Sequence, residues 1–120
     1  NVTLMRNVFK NSPFNGDISR WNVSNVTDMS WMFGYSTFDG DISEWDVSNI
    51  VTMRGMFYGS QFNGNISAWD TRHLNTLSGC FCKSQFNGDI SQWNTSNLQS
   101  IDYIFDDSVF ENLFQSIHID

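Results

Sequence analysis

Apolar residues return along this chain at a fixed interval of 24 residues. Tryptophan does so at Trp21, Trp45, Trp69 and Trp93. Phenylalanine does so twice per interval, at Phe9, Phe33, Phe57, Phe81 and Phe105 and at Phe14, Phe38, Phe62, Phe86 and Phe110. A strict period without insertion is the mark of a repeat array in which each unit buries its apolar side against the next. Inside one unit, residues 14–37, the rhythm changes midway. Ile18, Trp21 and Val23 end on a two-residue step, as a strand does. Val26, Met29, Met32 and Phe33 then follow at steps of three, three and one, which share one helical face. The pattern predicts an α/β repeat with a short parallel strand and a short helix in each 24-residue coil. Strands are expected near residues 20–23, 44–47, 68–71, 92–95 and 116–119, side by side in one parallel sheet.

The polar residues fit this plan. Asn25, Asn49 and Asn97 stand just before the helical run, where an Asn side chain caps the first free N–H groups, and His73 replaces them once. Gly16, Gly40, Gly64 and Gly88 recur at one place, which suggests backbone with φ > 0. Asn15, Asp39, Asn63 and Asn87 precede them and Asp17, Asp41, Asn65 and Asp89 follow, all able to hydrogen-bond the local turn. Ser36, Ser60, Ser84 and Ser108 mark the bend before each Phe, and Pro13 sits in a loop. Residues 1–13 align with 25–37 as a partial coil. Residues 14–37, 38–61, 62–85 and 86–109 are full repeats, and 110–120 is a degenerate partial coil in which Asn112 takes the glycine place. We read 1–120 as one repeat domain. Its first residue is Asn, so it is expected to be processed or part of a longer chain, its two ends covered by further chain or by neighbouring subunits.

The wording F-N-x-D-I-S-x-W, V-S-N-V-T-x-M and M-F, seen in residues 14–33 and 38–57, resembles the repeat of the BspA-like branch of leucine-rich repeat proteins. That branch was first grouped as a domain of unknown function in mycoplasma surface lipoproteins. The third repeat departs at Thr71, Arg72, His73 and Leu77, and the fourth at Thr95, Leu98 and Ile101. The resemblance covers nearly the whole chain. It implies a right-handed leucine-rich-repeat-like solenoid, a place at a cell surface or outside the cell, and no shared catalytic residues. The Ile-x-x-Trp-x-Val core agrees, being Leu-x-x-Leu-x-Leu with larger residues.

Charge removes several functions. Thirteen acids against six bases give a net charge of −7, which disfavours nucleic acid and anionic membrane, since both need clustered Lys and Arg. No apolar run is long enough to span a bilayer. Cys80 and Cys82 are too close in sequence for an unstrained bridge and are expected as thiols, Cys80 in the core and Cys82 nearer solvent. No cofactor is expected, and no paired acids, nucleophile with base, or phosphate loop is found.

The residues left for function are those between the core positions. If Trp21 and Val23 point inward, the strand face carries the file Arg20, Glu44, Ala68, Gln92, whose chemistry changes at every rung. Beside it run Asn22, Asp46, Asp70, Asn94, His118 and Ser24, Ser48, Arg72, Ser96, Asp120. Asp46 and Asp70 would lie about 4.8 Å apart, which makes them weak Ca²⁺ candidates unless Arg72 intervenes. Asp17, Asp41 and Asp89 are a second, interrupted acidic file. The expected function is a non-enzymatic interaction module of adhesion type. It would bind a protein or surface glycan through this face, by way of Arg20, Asn22, Glu44, Asp46, Asp70, Arg72, Gln92 and Asn94, or through the solenoid edge. The alternative is a structural subunit wedged into a large intracellular or organellar assembly.

Overall fold

The computed structural model describes residues 2–109. The repeat period survives in it as pairing. Isolated parallel bridges join Leu4 to Asp28, Asp28 to Thr52, Thr52 to Thr76 and Thr76 to Ser100. The secondary structure expected within each coil does not form, and the α/β leucine-rich-repeat solenoid is thereby corrected. Among the described residues there is no helix, and strand pairing is confined to these single bridges. The expected strand segments are turns and irregular backbone, closed by the bonds Trp21 N–H to Ile18 O and Val26 N–H to Val23 O and their equivalents. The bridges fall instead inside the run expected to be helical. A fifth strand at 116–119 lies outside the described residues.

The hydrogen bonds of residues 29–36 explain why no helix forms. Successive N–H groups go in two directions. Those of Met29, Trp31, Phe33 and Tyr35 donate to the carbonyls of Thr52, Arg54, Met56 and Tyr58 on the next unit. Those of Met32, Gly34 and Ser36 donate three residues back, to Met29, Trp31 and Phe33. A helix would send every one of these donors four residues back along its own chain. Turns 29–32 and 33–36 carry positive φ at their third residue, Trp31 (φ 61) and Tyr35 (φ 54), the geometry of a type II turn. Residues 7 and 11, 55 and 59, 79 and 83, and 103 and 107 repeat this pair of left-handed positions. The side chains at steps of three, three and one still face inward, so the periodicity found the core but named the wrong backbone.

That core is built from aromatic columns. Phe9, Phe33, Phe57, Phe81 and Phe105 stack with centroids 5.7–5.8 Å apart. Phe38, Phe62 and Phe86 form a parallel column at 6.2–6.3 Å, each ring also about 4.7 Å from its partner in the first column. Offset stacking of this kind adds about 0.5–1.5 kcal/mol per pair beyond area burial. Trp45, Trp69 and Trp93 are buried, and each donates its indole N–H to the carbonyl of Ile18, Ile42 or Ile66 one unit back. Trp21, expected in the core with them, is 40% exposed, because no described unit lies beyond it. Ser36, Ser60 and Ser84 are buried at the expected bend, where each hydroxyl accepts the N–H of the Phe two residues on.

The repeated glycines serve a different purpose from the one expected. Gly16, Gly40, Gly64 and Gly88 are not among the residues with positive φ. A Cβ on Gly64 would stand 2.7 Å from the Phe62 ring and 3.4 Å from the Gly40 carbonyl, so the position is glycine for lack of space. The left-handed glycines are Gly55, Gly59 and Gly79, in the turn segment. Cys80 and Cys82 are both free thiols and both buried, which corrects the placement of Cys82 near solvent; Tyr58 covers it. Burial pushes the Cys80 thiol far up.

Candidate functional site

The residues expected to carry function lie along one corner of the molecule. Arg20, Glu44, Ala68 and Gln92 each occupy an exposed position in or beside the turn that follows Ile18, Ile42, Ile66 or Ile90. They project from turns rather than from a strand face. Asn22, Asp46, Asp70 and Asn94 build the next turn. Their Oδ1 atoms accept the N–H of Ser24, Ser48, Arg72 and Ser96 at 2.9–3.1 Å, and three of them also accept the serine hydroxyl. Arg72 takes the serine place once and closes on Asp70 with its guanidinium, Nε at 2.9 Å from Oδ2. The bond from Ser48 holds the Asp46 carboxyl below its usual range, and Arg72 does the same for Asp70. Asp70 pushes weakly the other way on Asp46, as expected of two neighbouring carboxylates.

The acidic file after the repeated glycines is occupied in the same way. Asp17, Asp41, Asn65 and Asp89 accept the N–H of Ser19, Ser43, Ser67 and Ser91 at 2.8–3.0 Å. The serine bonds lower the three carboxyls. Asn15, Asp39 and Asn63 reach the next unit instead of their own turn, accepting the N–H of Asp39, Asn63 and Asn87. Among the described residues no three His, Cys, Asp or Glu side chains converge to hold a metal ion. The Asn residues expected as helix caps are ties between units. Asn49 and Asn97 donate to the carbonyls of Ser24 and Arg72, and His73 Nδ1 lies 2.8 Å from the carbonyl of Ser48 in the same role. His73 therefore keeps this tie where Asn is replaced. His118 and Asp120 lie outside the described residues.

A second surface, which the spacing argument passed over, lies on the turn segment. The left-handed positions of successive units hold Asn7 and Asn11, Trp31 and Tyr35, Gly55 and Gly59, Gly79 and Lys83, and Tyr103 and Asp107. Gly and Asn adopt this backbone readily, whereas a bulky L-residue there costs about 1–2 kcal/mol. Trp31 lies across Gly55 and Tyr35 across Gly59, where a Cβ would meet either ring at 2.6 Å. Tyr58 fills the space between them, 4.9 Å from Trp31 and 5.4 Å from Tyr35. Lys10 Nζ stands 5.0 Å from the Trp31 ring and Lys83 Nζ 6.0 Å from the Tyr58 ring. Tyr103 is 71% exposed.

Between these rings runs a groove of about 380 Å³. Trp31, Tyr58 and Tyr103 supply its rings, Gly79 leaves room, and Arg54, Ser78, Lys83, Asp102, Asp106 and Asp107 supply polar groups. The Cys82 thiol beside the Tyr58 phenol pushes it up to about 12. The groove's signal was present in the sequence. In a chain whose units otherwise repeat their wording, the position read as Trp31, Gly55, Gly79 and Tyr103 changes between the largest and the smallest residue types.

A family model described as a Mycoplasma protein of unknown function, DUF285, matches residues 1–82 and, a second time, residues 35–118. No curated protein matches the chain. No solved structure matches it either.

Proposed function

The chain belongs to the Mycoplasma family of unknown function DUF285, and from that premise we propose that it is a non-enzymatic binding module of the BspA-like surface type. It engages a protein or a surface glycan through the aromatic face of the turn segment. The observation that carries this reading is the left-handed backbone of Trp31, Tyr35 and Tyr103. Other units make the same turns with Asn7, Asn11, Gly55, Gly59, Gly79, Lys83 and Asp107, so the fold does not require these rings. Strain retained at residues as exposed as Tyr35 and Tyr103 points to a use for the side chain. The family resemblance supports a location at the cell surface. No helix among the described residues is long and apolar enough to cross a membrane.

Two variants of the chain test the reading on arrays of purified surface proteins and glycans. Trp31→Gly/Tyr35→Gly/Tyr103→Gly removes the aromatic face, and Arg20→Ala/Glu44→Ala/Gln92→Ala removes the corner file. The expected result is that the parent chain binds, the corner variant binds equally, and the aromatic variant does not bind while remaining folded. Equal binding by the aromatic variant overturns the reading. So does an array on which the parent binds nothing.

A second reading is supported by one feature. Val2, Leu4, Val8 and Trp21 are exposed on a single end of the molecule, at the first of the paired units. A structural subunit in a larger assembly would use such an apolar surface as a contact with a neighbour. Sedimentation of the isolated chain tests it, and a monomer that stays soluble at high concentration counts against it.

A further inference from the structure

The groove's chemistry narrows its ligand, on the premise that the aromatic face is a binding face. We propose that the space over Gly79, between Tyr58 and Tyr103, takes a pyranose ring of a neutral oligosaccharide. Three observations point there. First, the volume of about 380 Å³ is that of a small-ligand site, and residue 79 puts no side chain into it: whereas Trp31 covers Gly55 at 2.6 Å from a built Cβ, one on Gly79 would meet only Tyr58, at 3.5 Å. Second, the ring faces already meet cations. Lys83 is over Tyr58 and Lys10 over Trp31, so a cationic ligand must displace an ammonium and meet Arg54 as well. An anionic ligand meets Asp102, Asp106 and Asp107. Charge of both signs on the lining gives neither a cation nor an anion a uniformly favourable wall, whereas a neutral ligand that both donates and accepts hydrogen bonds can use all of it. Third, the walls offer donors from Arg54 and Lys83 and acceptors from the three aspartates, around exposed ring surface. A sugar ring has the matching character, with C–H groups on one face and hydroxyls at its rim that both donate and accept. Tyr103 supplies the open ring, since it is 71% exposed and held there by backbone with φ 60.

The test uses the full chain with cellohexaose, maltohexaose and chitohexaose as neutral probes and trilysine as the cationic one. Binding is followed by tryptophan fluorescence and by the amide shifts of residues 79 and 103. At least one hexasaccharide is expected to saturate. Tyr103→Ala is expected to weaken it about tenfold, the worth of one aromatic contact, and Tyr103→Trp to preserve it. Gly79→Asn, which tolerates the left-handed backbone but fills the space, is expected to abolish binding with an unchanged unfolding midpoint. The proposal is overturned if no hexasaccharide saturates up to about 10 mM, a ceiling weaker than the millimolar range of the feeblest specific sites. It is equally overturned if binding ignores both Tyr103→Ala and Gly79→Asn. Tyr103-dependent binding of trilysine without any sugar overturns the ligand class alone. The aromatic face as a binding face would then stand, and it falls only by the array result.

Discussion

Phe33 and Trp31 are two residues apart in the same turn segment, yet they sit on opposite sides of its backbone and obey different rules. Phe33 is fully buried and lies 5.8 Å from Phe57 in the next unit, part of a column in which each unit places the same ring. Trp31 is half-buried across Gly55, on left-handed backbone, in a file that reads Asn, Trp, Gly, Gly, Tyr from unit to unit. The inner side is repeated because each ring is packed against its own copy. The outer side is free to vary, and where it holds a large ring the backbone is worse for it. Repetition in this chain marks what folds it, and a costly departure from repetition marks what it is available to do.

The comparison breaks most visibly at the inner column. Phe57 touches Phe33, Phe62 and Phe81, so Phe57→Ala leaves a cavity bounded by three rings. A loss of about 3–5 kcal/mol is expected from a buried Phe→Ala change, read as a lower urea midpoint. A loss below about 1 kcal/mol would mean that the column closes up, and the tight inner packing would then not be what holds neighbouring units together. Next in size is Gly64→Ala. The added methyl meets the Phe62 ring at 2.7 Å with the Gly40 carbonyl beyond, so a loss of about 1–3 kcal/mol is expected from overpacking. Had left-handed backbone been the reason for glycine here, Gly64→Asn would be well tolerated. Steric crowding predicts that Asn is worse than Ala.

On the outer side the sign reverses. Tyr103→Gly places at φ 60 the residue that Gly55 and Gly79 already supply in the same position. Relief of left-handed strain, about 1–2 kcal/mol, is offset in part by the added freedom of glycine in the unfolded chain, about 0.5–1 kcal/mol. A small gain or no change in the urea midpoint is expected. A loss above about 1 kcal/mol would mean that Tyr103 serves the fold, and the case for a functional ring there would fail.

These signs show how far the sequence could be read. The period, the inward residues and the serine bends were legible because burial writes itself as spacing: Ile18, Val26, Met29 and Phe33 are buried as the pattern requires. Backbone type was not, because steps of three, three and one fit a helix as well as paired type II turns. Gly55 and Gly79 with Asn7 were the available signal, since three poor helix formers inside the helical run argue against it. The groove was hidden for a further reason. It depends on which rings of different units come together: Trp31 and Tyr103 share one repeat position with Gly55 and Gly79 between them, but Tyr58 stands at another position of its unit. The corner residues Arg20, Glu44 and Gln92 were visible as variable and exposed, and the structure adds no partner for them to the sequence reading.

The smallest effect concerns the acidic corners, where Asp and Asn do the same job in different units. Asp41 accepts the Ser43 N–H at 2.9 Å and Asn65 accepts the Ser67 N–H at 3.0 Å. Replacing Asp17, Asp41, Asp46 and Asp89 by Asn should therefore leave the unfolding midpoint at pH 7 nearly unchanged. Acid should separate the two chains. Each of these carboxyls is lowered in the fold by its serine bonds. A lowered folded pKa gives stability that is fully present above the unfolded value of 3.8 and is lost as pH falls through the folded one. The parent chain is expected to hold its midpoint down to about pH 5 and lose it below about pH 4, and the fourfold variant to lose less over the same interval. Repeating the titration at high salt separates this from the general relief of an acidic surface, because screening removes distant repulsion and leaves a hydrogen-bonded turn in place. Identical acid profiles at high salt would show that the carboxylates add nothing an amide does not. The acidity of the corners would then serve solubility or a partner rather than the turn.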